Sequence, residues 1–154
     1  MSFKKGFPFI LGFLCLQNIV SGQTLTGTWQ GTINDHEYIQ INIIEKEDKL
    51  CGYTYDYMSP ESFCVANFTA LYSKEKKVWY TESTSFIDNK GGHVLMQLQF
   101  KQVNKKGRVE IKGFCYSLSP TSGKPMAEAI LSAKKVADSP ATITLFMKDC
   151  GTDN

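Results

Sequence analysis

The chain has few of the residues on which most catalytic and metal sites depend. Histidine occurs only at His36 and His93, and each lies among residues typical of turns, so we expect both to be exposed. No two cysteines have C-x-x-C spacing, and neither a G-x-S-x-G motif nor a phosphate-binding glycine loop occurs. A zinc site, a thioredoxin-like site and a serine nucleophile are therefore not expected. We predict that the protein is not an enzyme and has no catalytic residues, metal ligands or cofactor.

Long apolar runs are missing after the first 22 residues. Residues 1–22 contain two early lysines, an apolar stretch from Phe7 to Leu16, and small residues at Val20-Ser21-Gly22. This three-part pattern is typical of a secretory signal peptide. The apolar stretch is too short for a permanent membrane anchor. We therefore expect cleavage before Gln23, a secreted or periplasmic location, and no membrane anchor after the signal peptide is removed.

The remaining chain also lacks an excess of charge of either sign. The full sequence has 17 Lys and Arg against 15 Asp and Glu, and Lys4 and Lys5 are the only charged residues of the predicted leader. Taking 22 residues from 154 leaves 132, with 15 charges of each sign. This length suits one domain with one core. A neutral surface of mixed charge makes nucleic acid and anionic membranes unexpected partners.

Four cysteines remain once Cys15 is removed with the leader. An even number of cysteines in an exported chain is typical of disulfides, and three pairings are open. Cys51 and Cys64 flank a predicted hairpin and would lie roughly opposite each other, so their pairing is the first hypothesis. The second bridge would then join Cys115 to Cys150 and hold the C-terminal segment.

Apolar and polar residues alternate with a period of two through most of the chain, and turn residues interrupt the pattern repeatedly. One example is the face formed by Ile39, Ile41 and Ile43. Ala127 to Val136 has residues that favour a helix, but we predict a strand because a closing sheet needs a last partner. The count is about eight short strands with no confident helix.

This pattern predicts an all-β fold. Eight short strands in sequential hairpins favour a single antiparallel up-and-down barrel, and a two-sheet β-sandwich is the alternative. The predicted barrel domain covers residues 23–136. Residues 137–154 form a C-terminal arm that either adds a ninth strand or is tied back through Cys150.

The start of the first predicted strand carries a resemblance to a known group of barrels. Gly27-Thr28-Trp29 resembles the Gly-x-Trp opening of lipocalins and avidins, and Leu50-Cys51-Gly52-Tyr53 resembles the second strand of avidins. The overall pattern is similar to that of small exported barrels of Bacteroidetes. The resemblance implies a barrel with the indole of Trp29 at its base. It does not imply biotin binding, because Trp79 is the only other tryptophan.

Candidate ligand-binding residues follow from the expected barrel. Glu82 shares a strand face with Tyr80, and a carboxylate inside the barrel would need a partner such as Arg108. Tyrosines on another strand would offer apolar area with a polar tip, although they can equally stabilise a sheet by aromatic pairing. The predicted ligand-binding set is Trp29, Tyr53, Tyr55, Tyr80, Glu82 and Arg108.

We therefore expect an exported, non-enzymatic barrel whose partner is a small, partly apolar ligand. The alternative is a filled barrel that acts through its outer surface, as a structural or protein-interaction module of the cell envelope. A cavity of ligand size would favour the first function. An exposed aromatic patch would favour the second. The ligand and the oligomeric state stay open at this point.

Overall fold

A computed structural model describes residues 24–46 and 49–150, and the predicted signal peptide lies outside these ranges. Eight antiparallel strands pair in sequential order and close into an up-and-down barrel. The predicted barrel is therefore confirmed, and the sandwich alternative is excluded. The strands are β1 (Gly27–Ile33), β2 (Glu37–Lys46), β3 (Lys49–Ser59), β4 (Ser62–Ser73), β5 (Val78–Lys90), β6 (Met96–Lys105), β7 (Arg108–Leu118) and β8 (Pro125–Ala137).

The barrel has two distinct ends. The upper end carries the β1–β2, β3–β4, β5–β6 and β7–β8 connections, and the lower end carries the other three connections and the chain that leaves β8. The segment that favours a helix by composition belongs to β8, which pairs with both β7 and β1 and closes the barrel. This pairing on both sides explains why the strand prevails over the local helical preference.

The core is built from the inward side chains of the strands. Trp29 in β1 lies opposite Ile41 in β2, which lies opposite Thr54 in β3, and all three are buried. Successive residues of a strand face opposite sides of the sheet, so the register assigns every other position to the interior. The core comprises Leu25, Trp29, Ile33, Ile39, Ile41, Ile43, Leu50, Phe68, Ala70, Leu98, Phe100, Ile111, Cys115, Leu131 and Ala133.

The wall of the barrel is least regular between β5 and β6. The register pairs these strands at Trp79–Phe100 and Tyr80–Gln99, near the lower end. Above these pairs, hydrogen bonds from β5 side chains to the β6 backbone connect the two strands. Thr81 Oγ1 accepts the Leu98 N–H at 2.7 Å, and Ser83 Oγ donates to the Met96 carbonyl. The β5–β6 connection therefore closes the wall at the upper end.

The chain after β8 crosses the outer face of the first strands. The Ser139 carbonyl accepts a hydrogen bond from Thr28 Oγ1 at 2.8 Å, and the Ala141 N–H donates to Asn42 Oδ1 at 2.8 Å. One short helix follows, α1 (Leu145–Lys148). No helix among the described residues has the length and apolar content needed to cross a bilayer.

The structure confirms the prediction of a disulfide, but the predicted pairing of the cysteines is wrong. Cys51 is bonded to Cys150, whereas Cys64 and Cys115 are buried free thiols. Cys51 pairs in register with Thr69, not with Cys64. Cys51 points outward and Cys64 points inward, so no bond between them is possible. Cys115 also points inward and is separated by the barrel wall from Cys150, which lies outside.

Candidate functional site

Three titratable side chains meet inside the upper end of the barrel. Glu37 is the first residue of β2, Asp56 lies near the end of β3, and His93 lies in the β5–β6 connection. Each offers one donor atom, and these atoms lie within 4.8 Å of one another. We call these three residues the mouth cluster. The sequential pairing of β2, β3, β4 and β5 brings them together, because Asp56 lies opposite Ile39 in β2 and opposite Cys64 in β4, and Cys64 lies opposite Asn89 in β5.

The His93 side chain is held from both sides of its ring. Its Nδ1 lies 3.3 Å from Asp56 Oδ2, and its Nε2 lies 3.0 Å from Ser62 Oγ. Asn89 fixes the backbone, because its Oδ1 accepts the His93 N–H at 3.0 Å and its Nδ2 donates to the His93 carbonyl at 2.9 Å. The expectation of an exposed His93 is wrong, since its side chain is only 12% exposed. His36 is exposed, as predicted.

Asp56 is the most deeply buried member of the cluster, at 2% exposure. Its Oδ2 faces His93, whereas its Oδ1 has no hydrogen-bond partner in the part of the chain that the structure describes. A buried polar atom without a partner costs about 1–3 kcal/mol. The mouth cluster therefore contains a buried acceptor without a well-formed hydrogen bond, and Glu37 is the member of the cluster that lines the adjoining cavity.

The acidic groups of the cluster act on one another and on two nearby thiols. Burial raises the pKa of Glu37, and the charge of Asp56 adds to this, while His93 opposes it. Burial and the Asp56 charge raise the pKa of the Cys64 thiol. Burial, followed by the charges of Glu37 and Asp56, raises the pKa of Cys115 to about 12. Both thiols are therefore protonated at neutral pH.

A cavity of about 690 Å³ adjoins the cluster at the barrel mouth. Glu37 lines it together with the apolar side chains of Ile33, Met96, Cys115 and Ala129, and Asn34, His36, Ser117 and Glu128 add further polar groups. Cavities that bind small molecules have about 300–1,000 Å³, mostly apolar walls and a few convergent polar groups. The mouth cavity has this size, and its walls combine apolar and polar side chains.

Trp29 is fully buried and lies below the mouth cavity. Its Nε1 donates to the Leu25 carbonyl at 2.9 Å, and Lys135 Nζ lies 5.8 Å from the centre of its ring. Trp29 does not line the mouth cavity, and its surroundings are those of a core residue.

The other predicted ligand-binding residues lie outside the barrel. Tyr53 and Tyr55 alternate with the inward Thr54 and face outward, where Tyr55 contacts neighbouring aromatic rings. The idea of an inward Glu82 is wrong, because the inward residue at this point of β5 is Thr81. Arg108 is exposed at the lower end, far along the barrel from the mouth cluster.

A second cavity, of about 740 Å³, lies along the outer surface. Tyr80 and Glu82 line it together with Phe146 and Cys150 of the C-terminal arm. We call this the outer groove. It brings together two of the six predicted residues, but none of the buried unpartnered polar atoms of the described residues lies on its walls.

Comparison of the chain with protein-family models, curated proteins and solved structures finds no match. The resemblance to lipocalins and avidins therefore stays a prediction.

The mouth cluster was not predicted from the sequence. One signal was present: Asp56 is the single acid among alternating residues of β3, on the face opposite the tyrosines.

Proposed function

We propose that the protein binds a small, partly apolar molecule in the mouth cavity, as a binding protein rather than an enzyme. The observation that carries this proposal is the contact between an apolar-lined cavity and the mouth cluster. Apolar walls provide affinity for much of a ligand, and a few polar groups provide its orientation. The disulfide between Cys51 and Cys150 supports the expected export, because disulfides persist in oxidising compartments.

The cavity walls indicate how such a ligand would be oriented. Its apolar part would pack against Ile33, Met96 and Ala129. Its polar end would reach Glu37, which belongs both to the cavity wall and to the mouth cluster. A hydrogen-bond donor is the complementary group there, because the carboxylates of the cluster are acceptors when ionised.

The binding proposal is tested with the neutral fluorescent probe N-phenyl-1-naphthylamine. Ala129→Phe fills the cavity from β8 and is expected to weaken probe binding by about tenfold, since one to two kcal/mol is lost through steric exclusion. Ile130→Phe is the matched control, because Ile130 is the next residue of β8 and is 63% exposed on the outer face. Equal probe binding by the two variants would contradict the proposal.

Native mass spectrometry of the purified protein provides a second measurement. A retained small molecule should appear as an added mass on the wild type and should be reduced in Ala129→Phe. Ile130→Phe should retain the same mass as the wild type. An added mass that survives in Ala129→Phe would place the ligand elsewhere on the molecule.

The outer surface supports the alternative function of a structural or interaction module. Phe114 in β7 lies opposite Ile130 in β8, and they are 39% and 63% exposed. Adjacent exposed apolar side chains are typical of contact surfaces. If this surface forms a contact between copies, Phe114→Ser should lower the sedimentation coefficient of the concentrated protein. An unchanged coefficient would remove this support.

A further inference from the structure

The mouth cluster has the donor set of a metal site. An imidazole nitrogen and two carboxylate groups come from three separate parts of the chain. Imidazole suits transition metals such as zinc, whereas sites for Mg²⁺ and Ca²⁺ consist of oxygen ligands. The composition therefore favours a transition metal ion over a hard cation.

The spacing of the donors is compatible with a metal ion as well as with an ion pair. With bonds of 2.0–2.1 Å, two ligands of a tetrahedral zinc ion are separated by about 3.3–3.4 Å. His93 Nδ1 and Asp56 Oδ2 are separated by 3.3 Å. All three donors lie within 4.8 Å of one another, so a small movement of side chains would complete the coordination.

The surroundings of His93 present the correct nitrogen to the cluster. Without an ion, Nδ1–H donates to the Asp56 carboxylate and Nε2 accepts from the Ser62 hydroxyl; with an ion on Nδ1, the Ser62 Oγ would instead accept a hydrogen from Nε2. Metal-binding histidines generally use their second nitrogen in a hydrogen bond of this kind, which fixes the tautomer and the ring orientation. Asn89 holds the backbone of His93 with two further hydrogen bonds.

An independent observation points to a missing positive group. Asp56 Oδ1 is buried and accepts no well-formed hydrogen bond from the described residues, and the neighbours of this carboxyl besides His93 are the Glu37 acid and the Cys64 thiol. The ion pairs of Lys112 and Lys135 are formed with Glu110 and Asp138, whereas Asp56 faces His93. Two acids thus share a confined space with a single histidine, and a divalent cation would neutralise them.

We propose that Glu37, Asp56 and His93 bind one Zn²⁺ ion, with the remaining coordination position open towards the mouth cavity. Zinc sites that have three protein ligands keep such a position for water or another molecule. The proposal goes beyond ligand binding, because the three side chains would hold the ion whether or not an organic molecule occupies the cavity.

The test titrates ZnCl₂ into the protein by calorimetry, after expression from the full sequence without a tag and dialysis against EDTA. One equivalent should bind, and MgCl₂ at the same concentration should give no heat of binding. His93→Gln and Asp56→Asn should each weaken Zn²⁺ binding by about tenfold or more. The matched control is Glu82→Gln, which removes an exposed carboxylate on the outer face of the barrel and should leave binding unchanged.

Nuclear magnetic resonance of the histidine ring signals tests the proposal on the wild-type protein, so it stays informative if a ligand variant fails to fold. The wild type has two histidines, and His36→Gln assigns their ring signals. Zinc should shift the His93 signals at one equivalent, and by more than those of His36, which lines the mouth cavity but is not a proposed ligand. Equal shifts of both histidines, or no binding at one equivalent, would overturn the proposal and leave the cluster as an ion-pair network that holds the β5–β6 connection. Probe binding by the EDTA-treated protein tests the mouth cavity separately.

Discussion

Cys51, on the outer face of β3, is bonded to Cys150, which lies 99 residues further along the chain. This bond holds the end of the C-terminal arm against the barrel wall. Met147 lies three residues before Cys150 and is fully buried, although the arm contributes no strand to the sheet. The disulfide thus fixes an apolar contact that the hydrogen bonds of the barrel do not secure.

Removal of the disulfide should destabilise the protein. The double variant Cys51→Ser/Cys150→Ser leaves no new thiol and should lower the free energy of unfolding by about 2–4 kcal/mol, because a long closed loop restricts the unfolded chain. Urea unfolding followed by circular dichroism measures this change. Peptide mapping without reductant should recover a Cys51–Cys150 peptide. A Cys51–Cys64 peptide would contradict the structure.

The two remaining thiols should react slowly in the folded protein. At pH 8, a thiol with a pKa of about 12, as at Cys115, is ionised to about one part in ten thousand. The raised pKa of Cys64 has the same consequence. A short pulse of iodoacetamide, followed by peptide mass spectrometry, should label neither residue at pH 8 and both in urea. Labelling should increase as the pH rises, because the thiolate is the reactive form. Rapid labelling of the folded protein at pH 8 would contradict this account.

Trp29 should contribute more to stability than Trp79. Trp29→Phe leaves the buried Leu25 carbonyl without its donor and leaves space in the core, so we expect a loss of about 2–4 kcal/mol in the free energy of unfolding. Trp79→Phe is the matched control at a half-buried position and should cost less. Urea unfolding is followed by circular dichroism, because each variant loses tryptophan fluorescence. A larger loss for Trp79→Phe would show that the base of the barrel depends on other contacts.

The fold could be predicted because its signal is local. The β2 isoleucines alternate with polar residues, and the structure places Ile39, Ile41 and Ile43 inside the barrel. The segment within β8 required one further argument, that a closing barrel needs a last strand. The orientation of the isoleucines follows from the alternation within one strand. The strand state of the β8 segment follows from the number of strands, and both can be read from the sequence pattern.

The cysteine pairing failed because it depended on the register of one hairpin. The prediction took Cys51 and Cys64 as roughly opposite each other, but a β3–β4 turn at Pro60 and Glu61 sets a different register. This register makes Asp56, rather than Cys51, the partner of Cys64. Because a change of register can move a side chain to the other face, a small error in the turn changed the predicted bond.

The mouth cluster could not be predicted from spacing, because its members come from separate strands and a connection. His93 reaches the interior from the β5–β6 connection, above the two register pairs of these strands at Trp79 and Tyr80. Four of the six predicted site residues instead followed single faces of β3 and β5. The register assigns those faces to the outside of the barrel.

The outer groove and the mouth cavity can be separated as ligand sites by substitution. Tyr80 and Glu82 line the outer groove, whereas Glu37 lines the mouth cavity. Glu82→Gln and Tyr80→Phe should therefore leave the binding of N-phenyl-1-naphthylamine unchanged, because their side chains do not reach the barrel interior. Fluorescence titration of these variants beside Ala129→Phe measures the difference. If Glu82→Gln weakens probe binding while Ala129→Phe does not, the ligand binds in the outer groove, and the face of β5 singled out from the sequence is the functional one.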